Sequence, residues 1–257
     1  MAFRSRRTTP PNAQGRWSLI RRSQDPDAPT ATEASHALAL QLLNRYGVLL
    51  REFVAAENVP GGFSAVYDVL KAMEETGRIR RGYFVAGLGA TQFALPAAVD
   101  LLRRLRTEPD AEKAEFVQLA ATDPANPYGS VLHWPELSAA ELIAESEADS
   151  APRLLTRTAT ADVVLRNGSL VAWFRRGNPN LLVFLPEGAP LRSQTAAGLA
   201  HFMGARGQQR LQAGSYQGVL IATVNGQPVG THPMAGFLLD AGFHPGPSGM
   251  HLRRELL

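Results

Sequence analysis

The stretch Arg45–Asp100, RYGVLLREFVAAENVPGGFSAVYDVLKAMEETGRIRRGYFVAGLGATQFALPAAVD, decides the fold. Leu50 to Glu57 reads as a short helix stopped by Pro60-Gly61-Gly62. Phe63 to Glu75 reads as a longer helix, because Phe63, Val66, Leu70 and Met73 recur on one face and Gly77 stands where a C-terminal cap belongs. After Gly77 the period changes. Arg78-Ile79-Arg80-Arg81-Gly82-Tyr83-Phe84-Val85 is a charged strand, and Gly87 and Gly89 allow a tight reversal before Ala90 to Leu95 returns. Two helices, a strand, a reversal and a returning strand form the order of a winged helix-turn-helix.

Working outward, Thr32 to Tyr46 supplies a preceding helix, with Ala34, Leu38 and Leu42 at i, i+4 spacing. Pro96 is placed to start a further helix reaching Arg106. Residues 1–30 are rich in Pro, Ser, Thr and Arg and read as a basic, mostly flexible arm, apart from the short apolar run at Arg16-Trp17-Ser18-Leu19-Ile20. From Phe116-Val117-Gln118-Leu119 the signal turns to β, interrupted by an acidic linker over 136–150. Asp162–Leu165, Asn167-Gly168 and Leu170–Phe174 form a strong hairpin signal, since Asn-Gly supplies the positive φ of a type I′ turn. Leu181–Leu185 adds a strand, and strands at this spacing suggest a small barrel or curled sheet. Residues 192–257 switch to α/β: a helix near 195–205, a strand at 218–224, an Asn225-Gly226 turn, a helix near 234–241 and a strand at 250–254. The expected class is α+β. Its parts are the arm at 1–30, a winged helix at 31–110, a barrel-like domain at 111–190 and a C-terminal α/β segment at 191–257.

Composition narrows the function. A chain of 257 residues with 45% hydrophobic residues can bury a sizeable core. With no cysteine, disulfides and thiolate metal sites are excluded. No apolar run reaches the roughly 18 residues of a membrane span, so no membrane partner is expected. The net charge is only +3, which permits nucleic-acid binding without requiring it. Its distribution says more: six arginines and no acid lie in residues 1–22, five carboxylates and no base in residues 136–149.

The sharpest functional feature is the third helix with the strand behind it. In a winged helix the third helix can enter the major groove while the wing crosses phosphates. Tyr67 and Lys71 lie one turn apart, and Arg78, Arg80 and Arg81 stand at the wing base as candidate phosphate contacts. Gln92, polar between apolar neighbours, is a candidate base reader or a buried structural amide. A winged helix used only for protein contacts, with solvated arginines, is the competing reading; Asp68, Glu74 and Glu75 favour it. Gly61-Gly62 opens the third helix either as an anion site or simply as a turn. Gly87-Leu88-Gly89 does not continue as a dinucleotide loop, and no G-x-x-x-x-G-K-[ST] occurs, so no ATP motor is expected. The six histidines show no metal-ligand spacing, and no metal or cofactor is expected. Gly246-Pro247-Ser248-Gly249 is a turn rather than a nucleophile elbow. Asp123, between a strand and Pro124, is the one weak catalytic candidate; an Asx-turn is its structural alternative.

The Arg45–Asp100 stretch, the segment Leu119-Ala120-Ala121-Thr122-Asp123-Pro124-Ala125-Asn126-Pro127-Tyr128-Gly129, the hairpin at 162–174 and the C-terminal Ala241-Gly242-Phe243 and Gly249-Met250-His251-Leu252-Arg253 together resemble the C-terminal region of Lhr, the large helicase-related bacterial DNA helicases. The resemblance covers about residues 30–257. It implies a superfamily-two helicase context, DNA repair, winged helices followed by a β-barrel, oligomerisation and a cytoplasmic, nucleoid-associated setting. It also implies kinship with DNA glycosylases. The helicase motor has no counterpart here, so ATP and Mg²⁺ are expected only through a separate motor domain. Three readings follow: a DNA-binding accessory module, a glycosylase acting on uracil or an alkylated base with Gln92, Asp123, Asn126 and Tyr128 lining one cleft, and an oligomerisation domain.

Overall fold

A computed structural model describes residues 28–106, 114–136, 155–214 and 218–252. Nearly all of the expected basic arm and of the acidic linker lies outside these residues. The chain divides into two compact units, Met1–Val99 and Asp100–Leu257.

The first unit is built in the order the sequence predicts. Helix α1 (Ala31–Tyr46) starts at a capping box, in which Thr30 Oγ1 accepts from the Glu33 amide at 3.3 Å and the Glu33 carboxylate accepts from the Thr30 amide at 2.8 Å. Strand β1 (Val48–Leu49) and helix α2 (Arg51–Ala56) follow. Asn58, Gly61 and Gly62 then take positive φ to turn the chain into α3 (Ser64–Glu75), which assigns the glycine pair to the turn. Glu57, just past α2, accepts from both Arg45 and Tyr46 and so ties the end of α1 to this turn. Those two donors hold the Glu57 carboxyl below its usual range.

Val66, Leu70 and Met73 of α3 are buried against Leu42, Leu43 and Val54. The helix ends in a Schellman motif: the Arg78 amide donates to Met73 O and the Gly77 amide to Glu74 O, with Gly77 at φ +72°. Strands β2 (Arg80–Gly82) and β3 (Gln92–Ala94) pair antiparallel, and β1 adds to the other side of β3, giving the order β1-β3-β2. Helix α4 (Pro96–Arg104) carries the chain from the first unit into the second.

The second unit holds a six-stranded sheet made of β4 (Phe116–Ala120), β5 (Ala161–Arg166), β6 (Ser169–Arg175), β7 (Asn180–Val183), β9 (Thr223–Val224) and β10 (Gln227–Pro228). Its order is β10-β9-β7-β6-β5-β4, antiparallel except where β9 runs parallel to β7. Both expected Asn-Gly turns are present: Asn167 and Gly168 have φ of 49° and 86°, Asn225 and Gly226 of 49° and 79°. Among the described residues the strands do not close into a barrel.

Helix α5 (Ala189–Gln212) lies between β7 and β9 in sequence and covers one face of the sheet. Its Ala196, Leu199 and Ala200 share a core with Val164, Ala172, Leu181 and Val183. A second sheet, β8 (Val219–Ile221), β11 (His244–Gly246) and β12 (Gly249–Leu252) in the order β11-β12-β8, and helix α6 (Met234–Asp240) join that same core. Residues 111–190 and 191–257, expected as separate parts, therefore contribute to one core. Every residue of β5 is buried because both faces of this strand are covered: Val164 faces α5, while Val163 and Leu165 join Trp173 in a second cluster.

Candidate nucleic-acid interface

On α3 the outward residues are Ser64, Asp68, Lys71, Ala72 and Glu75, all exposed. Lys71 lies 4.0 Å from Glu75, an exposed i, i+4 pair that leaves its ammonium available to other partners. Tyr67, expected beside Lys71 as a DNA contact, is half-buried instead. Its ring packs 5.8 Å from Phe63 and edge-on to Phe93 at 6.3 Å, which makes it a support for the helix face.

Arg78, Arg80 and Arg81 are exposed, and among the described residues none pairs with a carboxylate. Arg80 and Arg81 occupy β2, the edge strand of the small sheet, opposite Ala94 and Phe93. Successive strand residues point to opposite faces, so these two guanidinium groups diverge. Charge on an edge strand also discourages unwanted strand pairing, which any functional role has to share.

Gln92 is completely buried. Its Oε1 accepts from the Phe84 amide at 2.7 Å and the Val85 amide at 2.8 Å, and its Nε2 donates to Val85 O and Gly89 O, both at 2.9 Å. Two amide donors facing one atom fix it as the oxygen, so the orientation is unambiguous. The side chain is the internal brace of the wing loop, which leaves no hydrogen-bonding capacity for a base. Glu52 holds the wing tip from the other side, accepting the Gly89 amide at 3.1 Å. Between α2, the start of α3 and the wing tip lies a cleft of about 470 Å³ lined by Arg51, Glu52, Ser64, Tyr67 and Ala90, among others. Arg51 is a cation that helical periodicity alone treats as a solvent-facing charge; only the fold puts it beside the start of α3.

The segment from Asp123 to Tyr128 belongs to the second unit. Asp123 Oδ1 accepts the Ala125 amide at 2.8 Å, an Asx-turn. Asn126 is buried, donating to Ala121 O at 2.9 Å and accepting from the Tyr128 amide at 3.1 Å. Arg157 clamps the loop from behind, donating to the carbonyls of Asn126, Tyr128 and Asp123 at 2.6, 3.0 and 3.2 Å. The Tyr128 hydroxyl accepts the Leu170 amide at 3.2 Å. This is a loop organised by its own polar groups, and sequence spacing could not have revealed Arg157 as its anchor. Of the residues expected to line one cleft, Tyr128 borders a cavity of about 340 Å³ with Arg166, Ser169 and Thr195. Arg166 and Thr195 are buried there, and among the described residues the Thr195 hydroxyl lacks a hydrogen-bond partner. Asp123 and Asn126 do not line this cavity, and Gln92 lies in the other unit.

Among the described residues no cluster of His, Asp and Glu could hold a metal ion, and no helix is long and apolar enough to cross a membrane. Residues 28–114 match the family model of the winged-helix domain of the large helicase-related protein. The chain is similar to the Lhr helicase/probable uracil glycosylase of Mycolicibacterium smegmatis, 38% identical over 263 residues, covering 98% of this chain and 16% of that protein. It is also similar to the Lhr helicase/uracil glycosylase of Escherichia coli, 36% identical over 241 residues, covering 93% of this chain and 14% of that protein. The chain thus spans about one-sixth of the length of the curated relatives it matches.

Proposed function

Because this chain belongs with the large helicase-related proteins, as a C-terminal-type segment of them, we propose that it is a DNA-binding accessory module of Lhr-type helicase action in DNA repair. The observation that carries this reading is the set of exposed guanidinium groups at Arg78, Arg80 and Arg81 on and just before the wing strand, without a carboxylate partner among the described residues, in the same unit as the exposed Lys71 of α3. A guanidinium is suited to bidentate phosphate contact and keeps its charge at any physiological pH. In this reading α3 approaches the groove through Ser64, Asp68 and Lys71, and Tyr67 and Gln92 hold the surface in shape. The module itself uses no ATP; ATP and Mg²⁺ belong to a helicase motor with which it works. Self-association is a further part of the proposal.

The test is duplex binding by fluorescence polarisation across a salt series. Each phosphate contact contributes about 0.9 to the slope of log affinity against log salt. Since Arg80 and Arg81 diverge, the Arg78→Ala/Arg80→Ala/Arg81→Ala variant is expected to flatten the slope by about 1 to 2 and to weaken binding about tenfold or more. A folded variant with unaltered slope would assign the wing to protein contacts.

A second reading, removal of uracil from DNA, is favoured by the Tyr128 cavity with its buried Arg166 and unpartnered Thr195 hydroxyl, and by the glycosylase in both relatives' names. An extruded base needs such a pocket, with polar groups to read its edge. The assay is alkaline cleavage of end-labelled DNA carrying one uracil, expected to give breaks that are lost in Arg166→Ala. The Asp123→Asn variant asks separately whether that carboxylate serves as the base that orients water. Absence of breaks at protein excess would remove this reading and leave the binding module.

A further inference from the structure

The second unit carries a groove remote in sequence from the wing, about 580 Å³ in volume, between the Arg175–Asn180 turn, the C-terminal half of α5 and β8. Four arginines line it: Arg175, Arg176, Arg206 and Arg210. Among the described residues no carboxylate does. Arg206 and Arg210 are four residues apart on α5, so their side chains neighbour one another on one helix face. Both are exposed, and neither has an ion-pair or hydrogen-bond partner among the described residues.

The other two are held differently. Arg176 lies 3.4 Å from the buried carboxylate of Asp162, which offsets its charge. Arg175 stands 5.6 Å from the Trp173 ring centre and donates to Thr156 Oγ1 at 3.3 Å, while its Nε is buried without a partner. Because Arg175 follows Trp173 onto the sheet face opposite α5, the two charges left uncompensated among the described residues at this concavity are Arg206 and Arg210. Apolar groups alternate with them: Phe174 and Met203, both half-buried, line the same groove. Cations beside apolar side chains in one groove suit a chain of phosphates that carries flat, stackable bases. A duplex, about 20 Å across, is far too wide for a concavity of this volume, whereas one or two nucleotides of a single strand match it.

We propose that this groove binds single-stranded DNA, with Arg206 and Arg210 on the phosphates and Phe174 and Met203 against the bases. The proposal rests on the reading of the chain as a DNA-binding module, but it concerns residues of the second unit and not those of the wing.

The experiment compares a labelled oligothymidylate of about 12 nucleotides with a duplex of the same length, using the full chain across a salt series. For Arg206→Ala/Arg210→Ala, single-strand affinity is expected to fall about tenfold and the salt slope to flatten by about 1.4, at about 0.7 per phosphate on single strands. Duplex affinity should remain at the wild-type level. The wing variant should show the reverse pattern, losing duplex and keeping single strand. Because both groove arginines are exposed, the thermal transition should be unaltered, which separates lost contact from lost fold. Wild-type single-strand affinity and slope in the groove variant would overturn the proposal, as would equal loss on both ligands or failure of the wild-type chain to bind the oligothymidylate. Loss of duplex binding by the wild-type chain alone would count against the wing reading and leave the groove standing.

Discussion

Replacing Gln92 with alanine is expected to destabilise the winged-helix unit by about 2–4 kcal/mol, because four backbone groups lose their partner at one stroke. The Phe84 and Val85 amides and the Val85 and Gly89 carbonyls all depend on this amide. Denaturant unfolding followed through a first-unit probe measures the loss, and hydrogen exchange at Phe84 and Val85 localises it. DNA affinity should fall as well, although every wing arginine remains, since the loop that links β2 to β3 loses its shape. A Gln92→Ala variant with wild-type stability and exchange would mean that the brace is dispensable.

Gln92→Glu refines the test. Its carboxyl can still accept both amides, but its second oxygen faces two carbonyls and needs a proton to donate. The carboxyl is therefore pushed up in the folded state, above its unfolded value of about 4.3. A raised folded pKa gives stability that is present below the unfolded pKa and lost as pH rises through the folded one. The variant should approach wild-type stability at about pH 4 and fall well below it at about pH 8, with the difference tracking the introduced carboxyl.

Asn225→Ala is the second large effect, expected to cost about 2–4 kcal/mol in the other unit. Asn225 is buried, and its amide clamps a single residue: the Val183 amide donates to its Oδ1 at 2.8 Å and its Nδ2 donates to Val183 O at 3.1 Å. Alanine orphans both groups and also has to occupy a φ of 49°, which asparagine tolerates and alanine resists. Asn225→Gly separates the two causes. It relieves the backbone and should recover about 1 kcal/mol, leaving the hydrogen-bond loss. Chemical denaturation with a second-unit probe reads both variants, and equal stability of alanine and glycine would remove backbone strain from the explanation.

These two amides show where sequence reading ends. Local signals determined much of this protein. The 3.6-residue apolar period set α3 from Ser64 to Glu75, Gly77 set its end, and Asn-Gly pairs set both tight turns at Asn167 and Asn225. The resemblance carried by the longer motifs agrees with the winged-helix match over 28–114. Each of these rests on neighbours within a few residues, where backbone sterics and side-chain spacing act directly.

What only the tertiary structure decided involves partners far apart in the chain. The helix expected near 195–205 runs from Ala189 to Gln212, through Gly198, Gly204 and Gly207. Glycines weaken a helix in isolation, but here they allow close approach: a Cβ on Gly198 would stand 2.7 Å from the Phe116 ring and one on Gly204 2.6 Å from Ala241 O. Packing overrides propensity at these positions. The expected strand at 218–224 splits at Ala222 into β8 and β9, which serve different sheets, because the Ala222 amide donates across to Pro179 O. The expected barrel is an open sheet among the described residues, since strand periodicity says which face is buried but not which strand lies beside which.

The candidate site divides in the same way. Arg78, Arg80, Arg81 and Lys71 were legible as cations on a helix and a wing, and the fold leaves them exposed. Tyr67 reads as a contact from its spacing and Gln92 as either a base reader or a buried structural amide, and the fold turns both inward because Phe93 and the wing-loop amides lie behind them. Arg157, Arg206 and Arg210 carried no sequence signal, since an isolated arginine looks the same whether it faces solvent, a loop carbonyl or a groove. Their meaning comes from what the chain places opposite them, and that is fixed only by contacts between residues distant in sequence.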